Sequence, residues 1–269
     1  MKMLRTLVVT GAAGEIGTAI RPFLADVFSA VRLVDLCPAA DLRRNEELVV
    51  GDLHDDTVRR AALRGADALI HLAGIKSDAP WAALQRTNIE LVDSMCSDAE
   101  VAGIRRIALA SSMHVMGLYR RVERIRPDMP ARPDSAYAAS KLTMESVGHW
   151  HALRTNARVC SVRIGCYNPE REYAEPCAWI GGEDLARLFS HVLFHPRANA
   201  PVVHGVAPYR GDDCGQRRLR WWHGFTFVSP GGSRRRDFER MSIWYPDDQI
   251  ARKYRGGLFA SRTLKPDVA

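Results

Sequence analysis

The sequence lacks the long apolar segments that mark membrane and secreted proteins. Its longest mainly apolar stretches, such as 68–73, are far shorter than the roughly 20 residues that a membrane-spanning helix needs. Residues 1–5 lead directly into a strand-like pattern, with no apolar signal core followed by a cleavage site. We therefore expect a soluble, cytoplasmic protein without a membrane partner.

Cysteine pairs and clusters are also absent. The chain has six cysteines, but none belongs to a Cys-x-x-Cys pair or stands at the spacing of metal ligands. We expect them to be free thiols, as is usual in the cytoplasm, and we expect no bound metal. The six are Cys37, Cys96, Cys160, Cys166, Cys177 and Cys214.

Positive charge is concentrated toward the C-terminus. The formal net charge is +7, and from Gly205 onward 13 Lys and Arg stand against 7 Asp and Glu. A basic stretch with tryptophans, here at 217–222, can bind nucleic acid. These charges do not recur at helical spacing, however, and no recognition motif accompanies them. The preferred interpretation is a solvated face or a wall beside an anionic substrate, with no nucleic-acid partner.

Strand-like and helix-like segments alternate along 1–204. This order is typical of an α/β protein with a doubly wound parallel sheet (Rossmann fold), covered by helices on both faces. After Gly205, prolines and glycines interrupt every long element and predict a small, loop-rich C-terminal layer at 205–269. We therefore predict one domain over 1–269, with 1–204 as its core. The predicted strands are 4–10, 31–36, 48–50, 66–73, 106–111, 158–164 and 202–204, and the predicted helices run from the turn at 11–17 to about 28, then 55–63, 81–102, 136–155 and 183–194.

A glycine-rich turn lies between the first predicted strand and helix. It has the form GxxGxxG, in which Gly11 permits a tight turn, Gly14 lets the backbone approach a pyrophosphate, and Gly17 allows close packing of helix on sheet. The helix that Glu15 and Ile16 open would present its unpaired N–H groups and positive dipole end to the phosphates. The turn predicts a dinucleotide site that includes these residues.

Asp35 identifies the dinucleotide. It ends the second predicted strand, 18 residues after Gly17, where a carboxylate accepts hydrogen bonds from the ribose hydroxyls of NAD and repels the 2′-phosphate of NADP. A strand-end turn residue is the alternative interpretation. Further cofactor contacts are expected where the third and fourth strands end, since ligands of open α/β sheets bind at carboxyl ends. These are Asp52, Leu53, Leu72, Ala73 and Gly74.

A tyrosine and a lysine begin the long helix predicted at 136–155. Tyr137 and Lys141 are four residues apart and therefore lie on one face in adjacent turns. A phenol with an ordinary pKa of about 10 is a poor base, but a nearby ammonium and the positive nicotinamide ring favour phenolate. Ser112, at the end of the preceding strand, can hydrogen-bond the reacting oxygen. The set predicts hydride transfer with Tyr137 as general base.

With these residues in place, the sequence resembles the extended short-chain dehydrogenases, and among them the bacterial uronate dehydrogenases. The resemblance covers most of the chain to about residue 205 and returns at 221–222 and 254–259. It is carried by TGAAGEIG (10–17), HLAGI (71–75), SSMHVMGLY (111–119), RPDMPARPDSAYAASK (126–141) and VRIG (162–165). It implies oxidation of C1 of galacturonate or glucuronate by NAD, giving an aldarolactone.

The resemblance also assigns roles to individual residues. Tyr137 would be the base, Lys141 the ribose anchor and Ser112 the polarising hydroxyl. His114 would contact the substrate, and Asn88 would support the nicotinamide side.

The chain departs from the family pattern mainly around the substrate. Met113 stands in place of an asparagine, and Lys76 and Cys166 stand where serines are expected; these three are assigned to the substrate site together with His114 and Ser112. The arginine that holds the substrate carboxylate is missing from its expected place near 173–174. Arg171 and Lys76 are the candidate replacements. In the helix after Asn88, leucine at position 91 replaces a glycine.

Two other functions use the same residues. A nucleotide-sugar epimerase or dehydratase has the same triad, but it usually needs a larger C-terminal domain than 205–269 provides. An NAD-binding sensor or scaffold with little catalysis is the second alternative, suggested by Met113 and the missing arginine.

Extended short-chain dehydrogenases often pair through two long helices. The resemblance therefore implies a homo-oligomer.

Overall fold

A parallel sheet forms the centre of the computed structural model, which describes residues 3–167, 179–195, 201–207, 225, 228 and 247–264. The strand order is β3-β2-β1-β4-β5-β6-β7, and each neighbouring pair is parallel. The direction of winding reverses between β1 and β4, which opens a crevice at their carboxyl ends. The strands are β1 (Met3–Thr10), β2 (Phe28–Asp35), β3 (Glu46–Val50), β4 (Ala68–His71), β5 (Arg106–Ser112), β6 (Arg158–Ile164) and β7 (Val202–Gly205).

Helices cover both faces of the sheet. On one face α1 packs against α6, and on the other α4 packs against α2 and α5. This arrangement confirms the predicted doubly wound α/β fold. The helices are α1 (Glu15–Val27), α2 (Asp56–Leu63), α3 (Trp81–Leu84), α4 (Leu91–Val101), α5 (Ala136–Thr155), α6 (Gly182–Phe194), α7 (Gln249–Lys253) and α8 (Leu258–Thr263), with a π-helical turn at Gln85–Glu90 and a 3₁₀ turn at Met113–Met116.

Successive side chains of the central strands enter two separate apolar cores. In β1, Leu7 and Val9 join the core under α1 and α6, whereas Val8 joins the core under α4 and α5. All three are fully buried. A strand segment buried on both faces is apolar at successive positions, which explains why Leu7, Val8 and Val9 form a continuous apolar run rather than an alternating pattern.

Helix α5, which bears the predicted catalytic pair, has the bounds that the sequence predicted. The Ser135 hydroxyl accepts a hydrogen bond from the main-chain N–H of Ala138 and so caps its first turn. Asn156 ends the helix in the left-handed conformation, with φ +55°, which asparagine tolerates better than most residues. Both end signals are local in sequence.

Several boundaries differ from the prediction. The helix predicted at 81–102 is interrupted by the π-helical turn, a local irregularity that often marks a functional site. β2 begins at Phe28 because this residue already pairs with Met3 of β1. β4 ends at His71 because Ala73 turns its N–H toward the hydroxyl of Thr10 instead of continuing the ladder.

The described part of the C-terminal layer packs beside the carboxyl end of β5. Tyr254 forms an isolated antiparallel bridge with Arg120, and the N–H of Gly256 donates to the carbonyl of Gly117 at 2.8 Å. The basic stretch at 217–222 lies outside the described residues. Within the residues that are described, no helix is long and apolar enough to cross a membrane.

Candidate active site

The glycine-rich turn has the close contacts that its sequence predicted. Gly11 has φ +68°, and a Cβ there would lie 2.6 Å from the main-chain nitrogen of Ala73. A Cβ on Gly17 would collide with the carbonyls of Gly11 and Ala12. Gly14, by contrast, is exposed, and its side-chain position faces only the Gly11 carbonyl at 3.3 Å. The turn thus packs tightly against the sheet and leaves its outer surface open, as a pyrophosphate requires.

Asp35 is held beside this turn. One carboxylate oxygen accepts a hydrogen bond from the N–H of Ala13 at 2.9 Å, and the other from the N–H of Cys37 at 3.2 Å. The side chain is therefore oriented before any ligand binds, at the carboxyl end of β2. Farther along this edge Leu53 is buried, whereas Asp52 is exposed and accepts from the N–H of His54.

The loop after β4 closes over the lysine of the predicted pair. A Cβ on Gly74 would lie 2.8 Å from Oδ1 of Asn88 and 3.4 Å from Nζ of Lys141, so a larger residue would displace the Asn88 side chain and contact the lysine. Leu72 and Ala73 are half-buried beside it. The structure thus brings the predicted cofactor residues of this loop together with those of α5.

His71 lies under this loop and was not among the predicted site residues. Its Nδ1 is 2.8 Å from the hydroxyl of Thr10, and burial lowers the pKa of the imidazole to about 3, so it is neutral. In the sequence His71 appears only as one residue of a buried, mainly apolar strand. That pattern does not indicate that its side chain lies near Lys141.

Asn88 connects the loop after β4 to α5. Its side-chain oxygen accepts from the N–H of Ile75 at 2.9 Å, and its amide donates to the Ile75 carbonyl at 3.1 Å and to the Ser140 hydroxyl at 3.0 Å. The π-helical turn places this fully buried side chain between the two elements. Asn88 therefore holds Ser140, the residue that precedes Lys141 in α5.

Tyr137, Lys141 and Ser112 meet at the carboxyl end of β5. The buried ammonium of Lys141 donates to the carbonyl of Ala110 at 2.9 Å, and burial lowers its pKa to about 8, against the opposing effect of Glu145. Burial raises the pKa of the Tyr137 phenol, while a hydrogen bond with Ser112 acts in the opposite direction. The three predicted catalytic residues, hereafter the trio, thus lie together at the carboxyl end of β5.

The electrostatics differ from one expectation in the sequence analysis. The spacing of Tyr137 and Lys141 led us to expect a lowered phenol pKa, but loss of water around the buried ring dominates, and the negative charge of Asp134 adds to it. The residues that the structure describes therefore do not lower the Tyr137 pKa, and an additional positive charge is needed to do so. The cationic ring of a bound nicotinamide would supply such a charge.

A buried ion pair lies beneath these residues, and no sequence pattern indicated it. The Glu145 carboxylate accepts from Nε of Arg163 at 2.8 Å, from Nη2 at 2.7 Å and from the hydroxyl of Ser111 at 2.5 Å. Arg163 also donates to the sulfur of Met116, which supports the 3₁₀ turn. The group links β5, β6, α5 and the 3₁₀ turn.

His114, which is assigned to the substrate, lies beside Tyr137 and Ser112. Its ring centroid is 6.0 Å from that of Tyr137, and its main-chain N–H donates to the Ser112 hydroxyl at 3.2 Å. Met113 is half-buried and packs against the small apolar cluster of Val115, Met116, Tyr119 and Ile125.

The other substrate assignments are placed differently. Lys76 is an exposed residue whose ammonium is 2.7 Å from the carboxylate of Glu15, the first residue of α1. Cys166 is half-buried and forms an isolated bridge with Trp179. Arg171 lies outside the described residues. The structure therefore joins one candidate for the substrate carboxylate, Lys76, to the rim of the glycine turn.

A Rossmann sheet with a glycine turn, an acidic residue after β2 and a Tyr-Lys-Ser group after β5 defines a short-chain dehydrogenase-type enzyme. Residues 7–170 match the model of the NAD dependent epimerase/dehydratase family. The chain belongs to this family and is an NAD-dependent enzyme. The family resemblance and the cofactor expected from the sequence are thereby confirmed.

Similar proteins cover nearly the whole chain. Uronate dehydrogenase of Agrobacterium fabrum is 33% identical over 97% of this chain and 98% of that protein. NAD-dependent glucose-6-phosphate dehydrogenase of Haloferax volcanii is 32% identical over 76% of this chain and 86% of that protein. The structure of glucuronic acid dehydrogenase from Chromohalobacter salexigens has a TM-score of 0.82 and 31% identity, covering 99% and 100% of the two chains.

Proposed function

We propose that this protein is a uronate dehydrogenase, which oxidises C1 of a hexuronic acid to the aldarolactone. The observation that carries the proposal is the buried Tyr137, Ser112 and Lys141 group at the carboxyl end of β5, in a chain that resembles uronate dehydrogenases along nearly its full length. When bound, NAD⁺ accepts the hydride released as the C1–H bond breaks. The protein's own task is to bind the sugar and remove the hydroxyl proton.

Tyr137 takes that proton. As hydride leaves C1, the O–H bond of the C1 hydroxyl breaks, its proton passes to the phenolate oxygen, and its electron pair forms the C=O bond of the lactone. Ser112, which is hydrogen-bonded to the phenol, is placed to donate to the same oxygen and to hold it in line.

Lys141 holds the ribose of the cofactor. Its hydrogen bond to Ala110 fixes one of three ammonium protons and leaves donors for ribose hydroxyls. With a pKa of about 8, it stays mostly protonated at neutral pH. Asn88 keeps the adjacent turn of α5 and the loop after β4 in register, on the nicotinamide side.

The remaining assignments concern cofactor choice and substrate contacts. Asp35 selects NAD, and the glycine turn with Glu15 and Ile16 lies at the pyrophosphate. His114, Met113 and Cys166 line the sugar side, and Arg171 is the preferred partner of the substrate carboxylate because Lys76 is paired with Glu15.

A second candidate is an aldose 1-dehydrogenase acting on a sugar without a C6 carboxylate. It is favoured by the apolar Met113 at the substrate side. Similarity also extends to an L-arabinose 1-dehydrogenase of Haloferax volcanii, 31% identical over 59% of this chain and 66% of that protein.

A substrate panel tests the two candidates. Purified protein is mixed with NAD⁺ and, in parallel, with galacturonate, glucuronate, glucose, glucose 6-phosphate, arabinose and a UDP-sugar, and NADH absorbance is followed. We expect NADH with a uronate at a kcat/KM at least tenfold above that of any other sugar. Turnover of a neutral aldose or a UDP-sugar in preference to both uronates would contradict the proposed substrate.

We further propose that the protein pairs with a second copy and works in the cytoplasm. Trp150 and Leu153 of α5 and Val101 of α4 are 53%, 75% and 85% exposed, although α4 and α5 pack side by side. Large exposed apolar side chains on neighbouring helices favour an interface. Cys37, Cys96 and Cys160 are free thiols, which fits a reducing compartment. Light scattering would reveal a dimer, and Leu153→Glu should shift it toward monomer.

A further inference from the structure

Asp134, in the segment that precedes α5, is a fully buried carboxylate. One of its oxygens is 2.7 Å from Nδ1 of His114, and the other accepts a hydrogen bond from the Ser135 hydroxyl at 2.9 Å. Burying a carboxylate is costly unless charge or hydrogen-bond donors compensate it. His114 is thus a principal partner of a charge that the fold removes from water.

The protein is built closely around this carboxylate. A Cβ on either Gly117 or Gly256 would overlap the Asp134 side chain, so both positions require glycine. The hydroxyl of Thr263 donates to the main-chain oxygen of Asp134. Gly256 and Thr263 belong to the C-terminal layer, which therefore packs directly on Asp134.

The imidazole of His114 is fixed between Asp134 and the catalytic tyrosine. Phe259 of α8 packs on it with a centroid distance of 4.4 Å, and Tyr137 approaches edge-on at 6.0 Å. Because Nδ1 faces Asp134, the Nε2 edge of the ring is directed away from that carboxylate. An acceptor at Nδ1 determines which ring nitrogen carries the proton.

We propose that Asp134 is a positioning residue for substrate binding, which acts through His114. Asp134 keeps the proton on Nδ1 and fixes the tilt of the ring, so that His114 presents its other edge to an oxygen of the sugar acid. The C-terminal layer contributes by sealing Asp134 from water. The inference rests on the proposed function, because it takes His114 as a substrate contact.

Kinetics of Asp134→Asn, His114→Gln and the double variant test this role. Asp134→Asn keeps the size of the side chain but removes its charge. We expect a KM for the sugar raised tenfold or more, with kcat changed less than about threefold and the KM for NAD unchanged, because a ground-state contact is lost. Asp26→Asn, which breaks an exposed ion pair with Arg43, is the matched control and should change neither constant.

The double variant separates positioning from a purely structural role. If Asp134 acts through His114, adding Asp134→Asn to His114→Gln should raise KM by less than twofold, because the two changes remove one interaction. Multiplication of the two single effects, or an unchanged KM in Asp134→Asn, would overturn the proposal.

A measurement on the unmodified protein decides the matter even if Asp134→Asn does not fold. Side-chain ¹⁵N NMR of histidine-labelled protein, with the His114 signals identified by their loss in His114→Gln, should show a protonated Nδ1. An unprotonated Nδ1 would overturn the proposal. Failure of the proposed function looks different, since no uronate would then be oxidised; the kinetic variants are then judged on the sugar that is.

Discussion

Arg163 on β6 donates two hydrogen bonds to the carboxylate of Glu145 on α5, from Nε at 2.8 Å and from Nη2 at 2.7 Å. Both side chains are 5% exposed. Glu145 lies one helical turn beyond Lys141, so the pair anchors the catalytic face of α5 to the sheet. The two buried charges compensate each other through hydrogen bonds between residues that are distant in sequence, which the sequence alone does not reveal.

Breaking this pair should strongly destabilise the protein. Arg163→Met removes one partner and leaves Glu145 as a buried charge, for which losses of about 3–5 kcal/mol are typical. Arg126→Met breaks an exposed pair with Asp128 and should cost less than about 1 kcal/mol. Urea unfolding measures both. Equal losses in the two variants would show that the buried pair has no special role.

Tyr137→Phe should retain the fold and NAD binding but lose activity. The ring still packs, while the group that accepts the hydroxyl proton is gone, and such contributions are typically 10²–10⁴-fold in kcat. Tyr119→Phe is the control, because that buried hydroxyl donates to the carbonyl of Pro130 away from the trio. Initial rates of NADH formation and calorimetric titration with NAD provide the measurements. Wild-type rates in Tyr137→Phe would refute the assignment of the base.

Asp35 should make NAD bind more tightly than NADP. Its carboxylate, held by Ala13 and Cys37, accepts from ribose hydroxyls but repels a 2′-phosphate. Asp35→Ala should narrow the difference, mainly by weakening NAD. Calorimetric titration of both cofactors into both proteins tests this. Equal affinities of the wild-type protein for NAD and NADP would contradict it.

The stability contributed by Lys141 should depend on pH in the alkaline range. Its pKa is lowered from 10.5 to about 8 in the folded protein, so between these values the unfolded chain binds more protons and stability rises with pH. Below about pH 8 the full cost of burying the ammonium is present. Lys141→Met removes this cost, so its stability relative to wild type should be highest below pH 8 and fall toward pH 10.5. Urea unfolding of the ligand-free proteins across this range is the test, and a constant difference would be the contrary result.

The substrate carboxylate should depend more on Arg171 than on Lys76. A charged hydrogen bond contributes roughly 1.5–3 kcal/mol, so loss of the true partner should raise the KM for a uronate by about one to two decades. Lys76 is exposed and paired with Glu15, and Lys76→Ala should therefore change KM less than about threefold. If Arg171→Ala leaves KM unchanged as well, the carboxylate is bound elsewhere.

Much of the cofactor site could be predicted because its signals are local. The glycine turn, with Gly11 and Gly17 in contact with nearby backbone, needs small residues at fixed spacing, and Asp35 follows at the end of the next strand. Tyr137 and Lys141 share one face of a helix whose two end signals, Ser135 and Asn156, are also adjacent in sequence. Motifs of this kind, in which the residues are close in sequence, can be recognised without a structure.

The sequence by itself thus determined the alternation of strands and helices, the dinucleotide turn and the tyrosine-lysine pair, because each depends on backbone conformation and side-chain spacing within a few residues. Only the tertiary structure decided how Asp134 meets His114, how Arg163 meets Glu145 and how Lys76 is drawn to Glu15. These pairs join residues 18 to 61 positions apart. The physical reason is that burial and the charges of distant segments set their energies: loss of water also raises the Tyr137 pKa where the local spacing predicted a decrease.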